Sequence, residues 1–201
     1  WQVGLSFALL IGYQLVLFYI KIDGFGATLE PETNIGAWLD QKILGNHLWV
    51  VSKTWDPEGI LSTTGAVVSG IVGLWLGYAI KQKIKLSKII ISAIAMLLIS
   101  TFWDIFFPIN KSLWTSSYVL YTSGLAILLF SLFQFLDQKF GFKPQFLSMW
   151  GQNPIFVFYV SGIVPRLLSM IKIGEPEQEI NLYGAIYQKF VANYFDIPQQ
   201  S

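Results

Sequence analysis

The sequence predicts an all-α polytopic membrane protein: a bundle of about five transmembrane helices with one short interfacial amphipathic helix, part of a larger bundle. Three observations carry this. Of 201 residues, 54% are hydrophobic and only 12% charged, where a soluble domain is nearer a quarter charged. The mean hydropathy is +0.54. Five stretches also supply the roughly 20 mostly apolar residues that a spanning helix needs. The net charge of +1 comes without a basic tract, so no nucleic-acid partner is expected. Cysteine is absent, which excludes disulfides and thiolate metal sites; no metal is expected.

The expected spans are about 2–20, 60–80, 88–107, 113–136 and 146–171. The first lacks a charged leader and a small-residue cleavage site, so it reads as a span and not a signal peptide. The fifth is interrupted by Asn153, Pro154, Pro165 and Arg166. Such breaks are tolerated where neighbours satisfy the freed backbone groups. No soluble domain or internal repeat is visible, so residues 1–201 read as a single transmembrane domain. The apolar first turn and the open ending "FDIPQQS" suggest an internal piece of a longer polytopic protein.

Orientation follows from the lysines. "KQKIKLSK" carries Lys81, Lys83, Lys85 and Lys88 without an acid, and "DQKFGFK" adds Lys139 and Lys143. The positive-inside rule puts both in the cytoplasm. The loop 21–59, the short loop 108–112 and the tail 172–201 then lie outside. Loop 21–59 holds six acids against three lysines, in keeping with that assignment. The compact, lysine-rich loops suggest a bacterial cytoplasmic membrane. The expected surroundings are the lipid bilayer and, as an open option, further copies of the chain in a homo-oligomer.

Within the first outer loop, "NIGAWLDQKILG" reads as a short amphipathic helix. Asn34 suits its N-cap, Gly45 suits the residue after its end, and Ile35, Trp38, Leu39 and Ile43 form one face. Then comes "GNHLWVVSKTWDPEGILSTTGA", with the only histidine. His47 has two readings, an interfacial histidine near Trp49 or a supporting group at a site. Asp56 and Pro57 suit the N-cap and first turn of the second span, with Glu58 favouring the positive helix end; a binding role is the other reading. In "FFPINKSLW", Asn110 and Lys111 lie near the membrane surface, above Trp114. Asp104 falls one turn inside the preceding span, where an ionisable group faces a cavity or a partner. The partner would be Lys111. The tryptophans Trp49, Trp55, Trp103 and Trp114 suit an aromatic belt or a surface on which sugars stack. Asn153 opens a broken span of the kind that lines cavities. Topology puts 45–59 and 104–117 on one face of the membrane, where they converge if the bundle is compact.

The segments "GAWLDQKILGNHLW", "TWDPEGILSTTGAVVSGIVGLWLGYAI", "FPINKSLWTSSYVLYTSGLA" and "GQNPIFVFYVSG" resemble, in order, the later spans of the heparan-α-glucosaminide N-acetyltransferase family. The "DPEG" and "NKSLW" blocks are the most specific parts. The resemblance implies a membrane acyltransferase that moves an acyl group, acetyl in the animal enzyme, from acetyl-CoA or another acyl-CoA to an amino sugar or glycan across the membrane. It implies a catalytic histidine upstream of Trp1, so none in this chain, with His47 matching a second, supporting histidine. Asp56, Glu58, Asp104, Asn110, Lys111, Trp114 and Asn153 are the substrate-binding candidates. Lys111, Asn110 and Asn153 are donors suited to phosphate or an oxyanion; the three acids suit a sugar ammonium or hydroxyls. The rival reading is a transporter or flippase domain for a sugar-type substrate, drawing on Asp104 and the broken fifth span.

Overall fold

The computed structural model describes residues 2–141, 145–173 and 180–192. Its contacts divide the chain into two compact units, Trp1–Phe142 and Lys143–Ser201. The first holds α1 (Gln2–Tyr19), α2 (Ile35–Leu44) with a 3₁₀ turn at Gly45–His47, α3 (Thr63–Lys81), α4 (Leu86–Asp104) and α5 (Ser116–Phe140). Four of these, α1, α3, α4 and α5, are long and apolar enough to cross a membrane. Their outward faces are greasy: Leu74 is 70% exposed, Leu98 65% and Ile91 64%. A surface of that kind is stable in lipid and aggregates in water.

The apolar residues that do turn inward form a narrow core. Leu10 of α1, Val68 and Val72 of α3, Ile89 and Ala93 of α4, and Val119 and Ile127 of α5 pack together. Gly124 of α5 faces Ala93 of α4, with a would-be Cβ 3.0 Å from the Ala93 carbonyl oxygen; small residues of this kind let membrane helices approach closely without a hydrophobic driving force. The helices α4 and α5 run antiparallel, with the Ser100 hydroxyl donating to the Ser117 carbonyl at 2.8 Å.

A knot of hydroxyls fixes the start of α5. Thr115, Ser116 and Ser117 are all fully buried, and each hydroxyl finds a backbone carbonyl. Thr115 Oγ1 donates to Pro108 O at 2.9 Å, Ser116 Oγ to Leu10 O at 2.8 Å, and Ser117 Oγ to Phe107 O at 2.6 Å. Buried hydroxyls without such partners would cost about 1–3 kcal/mol each. The Ser116 bond also sets the height of α1. Leu10 is level with the first turn of α5, so the nine residues that follow rise about 13 Å beyond it.

One face of that upper half of α1, carrying Tyr13 and Leu17, is buried by the loop layer. Tyr13, Leu17, Ile35 and Phe107 form a second cluster, joined by Trp38, Leu61 and Trp103. Phe18 meets Phe107 edge-on at 5.4 Å, and Trp103 Nε1 donates to Gln14 Oε1 at 2.7 Å.

The second unit holds α6 (Gln145–Gln152), α7 (Pro154–Met170), the two-residue strands β1 (Lys172–Ile173) and β2 (Ile180–Asn181), and α8 (Leu182–Tyr187) running into a π turn at Gln188–Ala192. The strands pair antiparallel, Ile173 opposite Ile180. The expected span over 146–171 is thus two helices broken at Asn153–Pro154. The longer has 17 residues, with Pro165 inside it. Pro154 has no N–H to donate and starts the second helix rather than continuing the first. Of the expected tail, residues 174–179 and 193–201 lie outside the described residues.

Candidate functional site

The loop end of the first unit carries a small polar cavity. Asn34 starts its floor. The Asn34 side chain accepts from Ala37 N–H at 3.1 Å, capping α2 as its residue type predicts. Gly45, at φ +51, closes the same helix. The buried face of α2 differs from the expected stripe. Ile35, Ala37 and Asp40 are buried, while Ile43 is 61% exposed.

Asp40 is 3% exposed. Its Oδ1 accepts the Ile60 N–H at 2.9 Å, and its carboxylate lies so close to Gly59 that a Cβ there would land on Oδ2. Beside it, Gln41 Nε2 donates to Thr54 O at 2.8 Å. Two neighbouring side chains of α2 thus hold the strap 45–60. Burial raises the Asp40 carboxyl above the ordinary carboxylate range. The N–H groups of Ile60 and Asp56 oppose that rise, and the Asp56 charge adds to it. Asp40 is the site residue that sequence reasoning missed.

The "DPEG" block does not start a helix. The side chain of Asp56 accepts Glu58 N–H at 2.8 Å, and its carbonyl accepts Gly59 N–H at 3.0 Å. This is an Asx-turn, and α3 begins later, at Thr63. The expected N-cap role of Asp56 is therefore corrected: the carboxylate that reaches the approach to α3 is Asp40. Pro57 is likewise in the turn and not in the first helical turn. Glu58 is exposed.

Tyr13, Asn34, Asp40, Asp56, Ser62 and Ser112 are the polar walls of one cavity of about 20 Å³, closed by Trp55, Leu61 and Leu113 among others. That is room for about one water. The Tyr13 hydroxyl donates to the Leu113 carbonyl at its rim. Asp56 from the first motif block and Ser112 and Leu113 from the second therefore meet. Glu58, Asn110, Lys111 and Trp114 are not among the walls. A larger cleft of about 390 Å³ between α1, α3, α4 and α5 is lined almost wholly by apolar side chains and holds none of the predicted site residues. A specific ligand needs placed polar groups, so the small cavity is the better candidate despite its size.

The remaining candidates have structural partners. Asn110 Oδ1 accepts from Ser112 N–H at 2.8 Å and Leu113 N–H at 3.3 Å, holding the second loop closed. Lys111 is exposed. Trp114 sits at φ +52, a costly backbone for a bulky residue. Its indole N–H donates to Ser69 Oγ at 3.3 Å and its ring meets Tyr118 edge-on at 5.2 Å. It is a wedge against α3 and not an open stacking platform. Asp104 is corrected as well. It is the last residue of α4 and exposed, not one turn inside a span. Its Oδ1 accepts Ile109 N–H at 2.6 Å, bracing the turn that follows, and among the described residues it makes no ion pair with Lys111. His47 is exposed on the 3₁₀ turn, with Nδ1 3.3 Å from Leu44 O. In the second unit, Asn153 Nδ2 donates to Met149 O at 3.0 Å, at the edge of an apolar groove of about 220 Å³.

No family model, no curated protein and no solved structure matches this chain.

Proposed function

We propose that the chain is the membrane core of an acyltransferase that moves an acetyl or other acyl group from acyl-coenzyme A to an amino sugar or glycan. One observation carries the reading. The two motif blocks on which the family resemblance rests, "DPEG" and "NKSLW", border one polar cavity through Asp56 and Ser112. Transfer to an amine needs a group that accepts its proton. Asp40, a buried carboxyl held above its ordinary range, is suited to that step, and Asp56 beside it to holding the ammonium. The cavity admits a water and no more, so a sugar enters only when the strap 45–60 moves away from Asp40 and Gln41.

We propose further that the second unit contributes a fifth, broken span, that α2 lies in the outer interface, and that the lysine turn 82–85 faces the cytoplasm of a bacterial cell. Cysteines placed at Ser52 and Ser112 are expected to react with a membrane-impermeant thiol reagent added to sealed cells. One at Ser87 is expected to stay unlabelled until the cells are opened. Labelling at position 87 from outside reverses the orientation.

The activity test uses the full-length protein, because the resemblance places the catalytic histidine before Trp1. Full-length protein is expected to consume acetyl-coenzyme A when an amino sugar is supplied, and residues 1–201 alone are expected not to. His47→Ala is expected to lower turnover less than loss of the upstream histidine. Sugar movement without thioester consumption would favour the transporter reading instead.

A further inference from the structure

At the opposite end of the first unit, a cavity of about 340 Å³ lies between the α3–α4 turn and α5. Its polar walls are Lys83, Lys85, Gln134 and Gln138, with Ile80, Ile84 and Leu86 completing it. No acid is among them; Asp137, next to Gln138 in sequence, is not a wall. Two further features bear on the ligand. The Gln134 Oε1 is buried and has no hydrogen-bond partner; an oxygen there would repel an anion, but turned about its last bond the same amide places an N–H donor at that position. The start of α4 is itself a wall, and no side chain caps it at Lys85. The Lys88 N–H donates to Lys85 O at 2.9 Å, which leaves the Leu86 and Ser87 N–H groups of that 19-residue helix, and the positive end of its dipole, for an acceptor.

We propose that this cavity binds the phosphodiester headgroup of an anionic membrane lipid. Two ammonium groups, a helix start and a side-chain amide provide the charge and the directed donors that a phosphate takes. The position decides for a lipid over a soluble phosphate. The cavity sits at the ends of helices long enough to span a bilayer, where headgroups lie, and its three aliphatic walls suit the glycerol and upper acyl carbons. Basic pockets between membrane helices are where such headgroups bind. The inference does not depend on the acyltransferase reading, which concerns the other end of the unit.

The test is lipid retention by the purified full-length protein. It is reconstituted with mixed phosphatidylglycerol and phosphatidylcholine, and native mass spectrometry reads what stays bound. Selective retention of phosphatidylglycerol is expected. The double variant Lys83→Gln/Lys85→Gln is expected to bind it roughly thirtyfold more weakly, from the contribution typical of two lysines near a charged surface. Gln134→Leu leaves the charge unchanged and is expected to weaken retention several-fold, which a diffuse electrostatic attraction would not do. Lys139→Gln is the control: Lys139 lies over the Phe135 and Phe140 rings, outside the cavity, and its loss should change nothing. Equal retention of both lipids would overturn the proposal, as would an effect of Lys139→Gln equal to that of the double variant, or unchanged retention by Gln134→Leu. Displacement of the lipid by millimolar inorganic phosphate would reassign the cavity to soluble phosphates.

Discussion

Asp40→Asn is expected to make the protein more stable at neutral pH, and Asp40→Ala less stable than either. The sign follows from burial. Desolvation raises the Asp40 carboxyl in the folded protein, so the folded state holds its proton more tightly than the unfolded one. Stability from this group is complete below the ordinary carboxylate range. It is lost as pH rises from that range through the raised folded value. Asn keeps an oxygen for the Ile60 N–H and carries no charge to desolvate, so it removes the loss. Ala removes the acceptor and leaves that N–H unpaired, at a cost of about 1–3 kcal/mol. Thermal unfolding of the three proteins from about pH 4 to 8 checks this. The Asn and wild-type curves should converge at the acid end and separate as pH rises. Parallel curves would mean that Asp40 is not the group being desolvated. The same linkage favours release of the strap as pH rises, because opening returns the carboxylate to water.

Gly65→Ala is expected to destabilise the protein by about 1–3 kcal/mol, the usual range for overpacking a tight contact. A Cβ at Gly65 would stand 2.5 Å from the Trp114 carbonyl oxygen and 2.8 Å from its Cδ1. Neither atom yields easily. The carbonyl belongs to a backbone held at φ +52, and the indole is tied to Ser69. Five residues along the same helix, Gly70 has nothing within 4 Å of its would-be Cβ. Gly70→Ala should therefore stabilise α3 by up to about 1 kcal/mol, as alanine does in an open helical position. Melting temperatures of the pair read the difference directly. Equal effects of the two substitutions would show that the approach of Trp114 to α3 is not tight.

The long helices were legible because twenty apolar residues in a row have few other uses. The four end within a few residues of where the apolar runs suggested. The caps of α2 were legible for a similar reason, since Asn34 and Gly45 act on backbone a few residues away. The motif blocks were placed at one end by lysine asymmetry and loop length, and Asp56 and Ser112 do share a cavity. What stayed hidden was long-range or ambiguous. Asp40 looks like the solvated side of an amphipathic helix; its partner is a backbone N–H twenty residues on, and a backbone donor leaves no mark in the sequence. Asp-Pro at 56–57 fits a helix start and a turn equally well, and the Asx-turn to Glu58 prevailed. Asp104 was misplaced by one turn because Ile105 to Phe107 are apolar enough to prolong a span, yet the chain turns there toward Pro108. Trp114 reads as a belt residue, and nothing local announces that its backbone is left-handed.

The hydroxyl knot at the start of α5 also implies an order of assembly. Two of its bonds are local, joining Ser117 to Phe107 across ten residues and Ser100 to Ser117 across seventeen. They can close as soon as α4 and α5 have emerged side by side. The Ser116 bond to Leu10 spans 106 residues, and the chain between them includes α2, the strap and α3. Non-local contacts of that kind form late, after nearby ones have reduced the search. The hairpin of α4 and α5 is therefore the template. It presents the Ser116 hydroxyl at a fixed height, and α1 slides into register when its Leu10 carbonyl meets it. Newly made α1 can rest on α2 and α3, but its register bond to Ser116 must wait until the ribosome has delivered α5.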